Sequence, residues 1–219
     1  MTNEEKRNIL FKINQIYNLE ALDALKKIPD KTIDLVFLDP PYNSGKEFGN
    51  WKDKIPEEEY EDFIRNIKWE CSRVSIKGIG VYLNWKCFSK YWLGSFSNEK
   101  ILVMDYPYDK SKCHLILTNI NRPKESRCLE DIIPVLNEKD LLLESTIDHP
   151  AHMPLRYLEY FIEKYSETGD VILDPFMGSG TTAVVSNALG RNFIGFELNK
   201  KYVKMANHRL KNLIKKCYK

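Results

Sequence analysis

The run Ile33 to Tyr42, IDLVFLDPPY, limits what this chain can fold into more than any other stretch. Ile33, Leu35, Val36, Phe37 and Leu38 read as a strand that is apolar on both faces, which suits a parallel sheet sandwiched between helices. Asp39-Pro40-Pro41-Tyr42 then stops it, because neither proline has an N–H to give to a sheet ladder. The chain therefore leaves the sheet at its carboxyl edge holding a carboxylate, backbone carbonyls and an aromatic ring. In an open α/β sheet that edge is where ligands bind.

The remaining pattern supplies such a sheet. Ile9 to Tyr17 is expected as a strand, Asn18 as the cap of a helix over Leu19 to Ile28, and the strand Ile33 to Leu38 completes a right-handed βαβ unit. Asn43 to Trp51 is polar and glycine-rich and is expected as a mobile loop over the site. Pro56 followed by Glu57, Glu58 and Glu59 opens a helix whose Tyr60, Phe63, Ile64, Ile67, Cys71 and Val74 face the core. A strand over Ile79 to Trp85, a helical piece over Cys87 to Phe96, and an antiparallel edge pair, Ile101 to Tyr106 with His114 to Ile120, come next. Asn121 to Asp148 has no regular pattern, and its start is polar and basic.

Beyond it the spacing predicts a helix with Leu155, Leu158, Phe161, Ile162 and Tyr165 inward, then a strand over Val171 to Asp174. A helix over Thr181 to Leu189 closed by Gly190, a strand over Phe193 to Glu197, and a last helix capped by Asn199 complete the chain. The expected fold is one α/β domain over residues 1–219, an open doubly wound sheet. The five cysteines and four histidines show no metal-ligand spacing, so no metal site is expected. No apolar run reaches membrane-spanning length and no leader pattern is present, which points to the cytoplasm. From Asn199 to Lys219 there are eight Lys/Arg and no acid, leaving 25 basic against 31 acidic residues elsewhere; a polyanion could use that tail, and so could a merely solvated helix face.

A second strand end carries Asp174-Pro175-Phe176-Met177-Gly178-Ser179-Gly180. Its glycines let backbone N–H groups approach a ligand at a helix start. No lysine follows the second glycine, so it is not a P-loop, and the third glycine of the dinucleotide fingerprint is missing. With Asp39-Pro40-Pro41-Tyr42 it resembles the S-adenosylmethionine-dependent amino-methyltransferases of DNA, which carry (D/N/S)-P-P-(Y/F/W) and F-x-G-x-G. The order here, catalytic motif first, resembles their permuted β class. The resemblance implies a mostly parallel, Rossmann-like seven-stranded sheet in which Val171 to Asp174 and Phe193 to Glu197 are the first two strands, and the chain's beginning supplies the third and fourth.

The same resemblance implies catalysis by Asp39, Pro40, Pro41 and Tyr42. It implies cofactor binding by Asp174, Phe176, Gly178, Ser179, Gly180 and Thr181, by Glu197 at the ribose hydroxyls, and by Asn18 toward the adenine end. In the family Asn18's position usually holds an acid. His149-Pro150 and Pro154 resemble the start of the family's cofactor-proximal helix, with His152 and Met153 replacing its usual Gln and Lys, so His149 is either near the cofactor or a turn residue. Asp39 and the Pro40 carbonyl can accept both hydrogens of an exocyclic amine and aim its lone pair at a methyl donor, while Tyr42 stacks an extruded base. Adenine N6 in double-stranded DNA is the expected target, since Asp-first motifs in the family are mostly adenine-specific. Cytosine N4, RNA amines, the glutamine amide of a protein, or an inactive nucleic-acid-binding subunit are the alternatives. A small target-recognition insertion at about 121–148, a short site or help from a second copy of the chain, and a place in modification or restriction-modification complete the expectation.

Overall fold

The computed structural model describes residues 10–45, 47–48, 51–92, 94, 100–104, 114–120, 132–133 and 155–217. Leu35–Leu38 forms strand β2, and its residues alternate between two buried faces. Val36 and Leu38 pack with one set of apolar residues that includes Leu25, Ile64, Ile67 and Phe196, whereas Leu35 and Phe37 pack with Leu158, Phe161, Ile162 and Val185. Burial on both faces explains why all four positions are apolar and β-forming.

The other elements follow in order. β1 is Gln15–Tyr17, α1 Ala21–Leu25, a short antiparallel hairpin pairs β3 (Glu47–Phe48) with β4 (Trp51–Lys52), and α2 is Glu57–Val74. β5 is Ile79–Asn84, and α3 (Trp85–Cys87) runs into a π-helical turn over Phe88–Trp92. Next come β6 (Lys100–Met104), β7 (His114–Thr118), β8 (Ile132–Ile133) and α4 (Leu155–Tyr165). β9 (Val171–Asp174), α5 (Thr181–Ala188), β10 (Asn192–Phe196) and α6 (Lys200–Cys217) end the chain. Among the described residues the main sheet has eight strands in the order β1-β10-β9-β2-β5-β7-β6-β8. β1, β10, β9, β2 and β5 run parallel, and β7 is antiparallel to both β5 and β6.

Several expectations change. The sheet has eight strands, not seven, because Ile132–Ile133 adds a strand beyond β6. The rest of 121–148, including the candidate recognition insertion, lies outside the described residues, as do His149, His152, Met153 and Pro154. The first strand shrinks to Gln15–Tyr17, since Asn14 takes a left-handed φ of 59° and the Tyr17 hydroxyl accepts from the Lys12 N–H. Asn18 does not cap α1; Glu20 does, accepting from the Asp23 N–H.

The layers pack closely at Gly80 of β5, where an added Cβ would lie 2.2 Å from the ring of Phe161 on α4. Phe161 is fully buried and touches the rings of Phe37 and Tyr165, so it has no room to retreat. Gly80→Ala is therefore expected to lower the unfolding free energy by about 1–3 kcal/mol in chemical denaturation. An unchanged midpoint would show that α4 is not held at this spacing.

Candidate active site

Parallel strands place their carboxyl ends on one edge, so the residues that follow β1, β10, β9, β2 and β5 line up there. Asn18, Glu197, the loop after Asp174 and the Asp39–Tyr42 turn follow one another along it. The two motifs, far apart in sequence, leave neighbouring strands: β2 pairs with β9 through Leu35–Ile172 and Val36–Leu173.

The Asp39–Tyr42 turn is held by side chains from three other places. The buried Tyr60 hydroxyl of α2 donates to the Pro41 carbonyl at 2.6 Å. The Cys87 thiol donates to the Tyr42 carbonyl at 3.7 Å, and burial pushes that thiol up to about 11, so it stays protonated. The Tyr42 hydroxyl lies 2.5 Å from Asp39 Oδ1 and 3.0 Å from the Tyr82 carbonyl on β5. Burial, and then the Asp39 carboxylate, raise the Tyr42 hydroxyl well above its ordinary range and keep it a donor. Among the described residues no donor reaches the Pro40 carbonyl, in contrast to its neighbour at Pro41.

The segment after Tyr42, expected as a mobile loop, is tied down where it is described. Asn43 has a left-handed φ of 53° and makes a reciprocal pair with Ile55, its side-chain oxygen accepting from the Ile55 N–H and its side-chain nitrogen donating to the Ile55 carbonyl. Asp53 accepts from the N–H of Asn43 and from both the N–H and hydroxyl of Ser44. The hairpin of β3 and β4 bridges these ends.

The second motif wraps around two carboxylates. Asp174 accepts from the Phe176 N–H and the Thr182 hydroxyl, while Glu197 accepts from the Gly178 and Asn199 N–H groups. Phe176 meets the Phe63 ring of α2 edge to face at 6.1 Å. Gly180 sits at φ 86°, and a Cβ there would lie 2.7 Å from that of Ala206 on α6, so both the backbone and the packing require glycine. It precedes α5 without any side-chain cap, leaving the helix's first-turn N–H groups to face the edge. The hydroxyls of Ser179 and Thr181 accept from the Arg209 guanidinium of α6, which also donates to the Ser179 carbonyl.

At the far end of the row, Asn18 donates to the carbonyls of Glu197 and Leu198, tying β1 to the segment that presents the Glu197 carboxylate. Sequence reasoning missed Asp53, Tyr60, Cys87, Thr182 and Arg209. Tyr60 had a visible signal, a polar tip on an otherwise apolar helix face; the other four gave none. Among the described residues no cluster of His, Cys, Asp or Glu is arranged to hold a metal, and no helix is long and apolar enough to cross a membrane.

Burial raises Asp174 to about 7, outweighing the bonds from Thr182 and Phe176 that favour its charged form. In the unfolded chain it titrates near 3.8. Between these values the folded protein binds more protons than the unfolded one, so stability is highest below the lower value and falls as pH rises toward the upper. Asp174→Asn is expected to remove that slope, so its melting temperature relative to the parent should climb between pH 4 and 7. Parallel pH profiles for the two proteins would contradict this.

The comparisons with known proteins agree with this geometry. The family model for DNA methylase, of the N6 and N4 type, matches residues 33–90 and 88–208. The DNA adenine methyltransferase YhdJ of Escherichia coli K12 is 30% identical over 236 residues, covering 87% of this chain and 80% of that protein. The type II methyltransferase M.HpaI of Haemophilus parainfluenzae is 28% identical, over 87% of this chain and 72% of its own. Among solved structures, the cytosine-N4-specific PvuII DNA methyltransferase superposes with a TM-score of 0.69 at 17% identity, over 94% of this chain and 95% of that one. The complex of M1.HpyAVI with SAM gives 0.65 at 21% identity, over 90% and 98%. With both of its motifs on adjoining strand ends and most of its length matched, this chain belongs to the N6/N4 DNA methylase family.

Proposed function

We propose that this protein transfers a methyl group from S-adenosylmethionine to the exocyclic N6 of adenine in a short DNA site, as a member of the permuted β class with a role in modification or restriction-modification. The observation that carries the reading is the adjacency of β2 and β9, which puts the Asp39–Tyr42 turn beside the glycine loop. The chemistry of that edge suits the donor. Glu197 is already oriented by two backbone N–H groups and has lone pairs for a pair of vicinal hydroxyls. Carboxylates at Asp39 and Glu197 would give the edge a negative bias that favours a cationic sulfonium. When bound, S-adenosylmethionine supplies an electrophilic methyl carbon.

The protein's part is alignment. Asp39 and the Pro40 carbonyl accept the two amine hydrogens, the incoming amine competing with the Tyr42 hydroxyl for Asp39 Oδ1. With both hydrogens held, the nitrogen lone pair leaves the ring's conjugation and points at the methyl carbon. On transfer the N–C bond would form at the expense of the donor's C–S bond, and the surplus amine proton would pass to Asp39 or to water. Fixed acceptors at the developing positive nitrogen need no reorganisation during the step. The base must leave the helix to reach this edge, and the Tyr42 ring gives it a face worth about 1–3 kcal/mol on which to stack.

The permuted order is supported by where the chain's two ends meet: β1 pairs with β10, whose strand lies beside β9. The adenine reading is supported by Asp39 at the head of its motif and by the relative named as an adenine methyltransferase. Nucleoside mass spectrometry on unmethylated DNA incubated with the protein and methyl-labelled cofactor tests it. Label is expected in N6-methyladenine. Label in N4-methylcytosine would overturn the base assignment, and label only when RNA is offered would overturn the substrate class.

A further inference from the structure

Buried carboxylates need an explanation, because removing a charge from water costs several kcal/mol unless donors replace the lost solvent. Asp53 is 3% exposed and lies outside both motifs. Its Oδ1 accepts from the Asn43 N–H at 2.9 Å, and its Oδ2 accepts from the Ser44 N–H at 2.9 Å and the Ser44 hydroxyl at 2.8 Å. Its own carbonyl accepts from the Gly45 N–H at 2.6 Å. One residue thus gathers four donors from the three residues that directly follow Tyr42.

The consequence for the active site is geometric. The peptide joining Tyr42 to Asn43 is fixed at both ends, its carbonyl by the Cys87 thiol and its N–H by Asp53. The preceding peptide is fixed through the Pro41 carbonyl by Tyr60. Asn43 takes a left-handed conformation that costs a non-glycine residue roughly 1 kcal/mol or more, and its bonds to Asp53 and Ile55 hold it there. Released from Asp53, Asn43 would relax toward ordinary φ values and swing the Tyr42 ring and the Pro40–Pro41 backbone with it.

We propose that Asp53 is a positioning residue for methyl transfer: by holding Asn43 and Ser44 it sets the orientation in which Asp39, the Pro40 carbonyl and Tyr42 meet the target amine. This rests on the function proposed above. Asp53 is buried and its bonds go to Asn43, Ser44 and Gly45, so on this proposal its loss should reduce turnover and leave cofactor binding alone. A role in folding alone would reduce both together.

The test measures transfer of tritiated methyl from S-adenosylmethionine to unmethylated DNA, with kcat per cofactor-binding site counted by calorimetric titration. The parent, Asp53→Ala, Asp53→Asn and Asn43→Ala are compared. Asp53→Ala should lose about a hundredfold in kcat, the size of effect that a misplacement near 1 Å produces, with cofactor affinity within about threefold of the parent. Asp53→Asn keeps one acceptor oxygen and should recover about tenfold of that loss; Asn43→Ala should fall in kcat without losing the cofactor. If Asp53→Ala does not fold, the asparagine variant and Asn43→Ala decide the matter. Parental kcat per site in the Asp53 variants would overturn the positioning role, and so would loss of cofactor binding in all three variants. No transfer by the parent itself would instead overturn the proposed function.

Discussion

A strand buried on both faces cannot simply stop, because the backbone groups at its end still need partners. The two prolines after β2 remove two N–H groups from that problem and leave the carbonyls. The surrounding elements answer carbonyl by carbonyl: Tyr60 takes that of Pro41 and Cys87 that of Tyr42. No donor reaches the Pro40 carbonyl among the described residues, and the Asp39 carboxylate stands beside it in sequence. Under the proposed function the Pro40 carbonyl and the Asp39 carboxylate would together hold the amine, which would have to displace the Tyr42 hydroxyl from Asp39 Oδ1.

The glycine loop shows the same economy with the opposite polarity. Asp174 and Glu197 stand at the ends of adjacent strands and accept alternate N–H groups of the loop between them. Burial disfavours the charge of both, and each is offset only in part by the bonds it accepts. The carboxylates hold the loop open while α6 closes it from behind, through Ala206 against Gly180 and Arg209 against Ser179 and Thr181. One cation of the basic tail, Arg209, is thereby a brace for the loop.

What the sequence revealed depended on whether a signal was local. The parallel strands, α2, α4, the last two helices and both motifs could be read because apolar periodicity and proline or glycine punctuation are local facts. Asn18 misled for the opposite reason. An Asn before an apolar segment reads as a cap, but here its amide serves two carbonyls just past the end of β10, far along the chain, and Glu20 caps instead. The stretch after Tyr42 read as mobile because it is polar and glycine-rich, while the buried Asp53 that orders its start looks in sequence like one more charged loop residue. The bonds that Arg209 of α6 makes to the Ser179 and Thr181 hydroxyls join residues far apart in the chain, and no local pattern announces them.

The proposed function divides labour between two strand ends: the turn after β2 would hold the amine, and Glu197 after β10 would hold the cofactor. Measuring S-adenosylmethionine affinity and methyl transfer side by side in Asp39→Ala and Glu197→Ala tests that division directly. Asp39→Ala should bind the cofactor within about threefold of the parent yet lose about a hundredfold or more in transfer. Glu197→Ala should weaken cofactor binding by about tenfold or more, the value of charged hydrogen bonds to the ribose and to the Gly178 loop. Equal losses of cofactor affinity in the two variants would contradict the account.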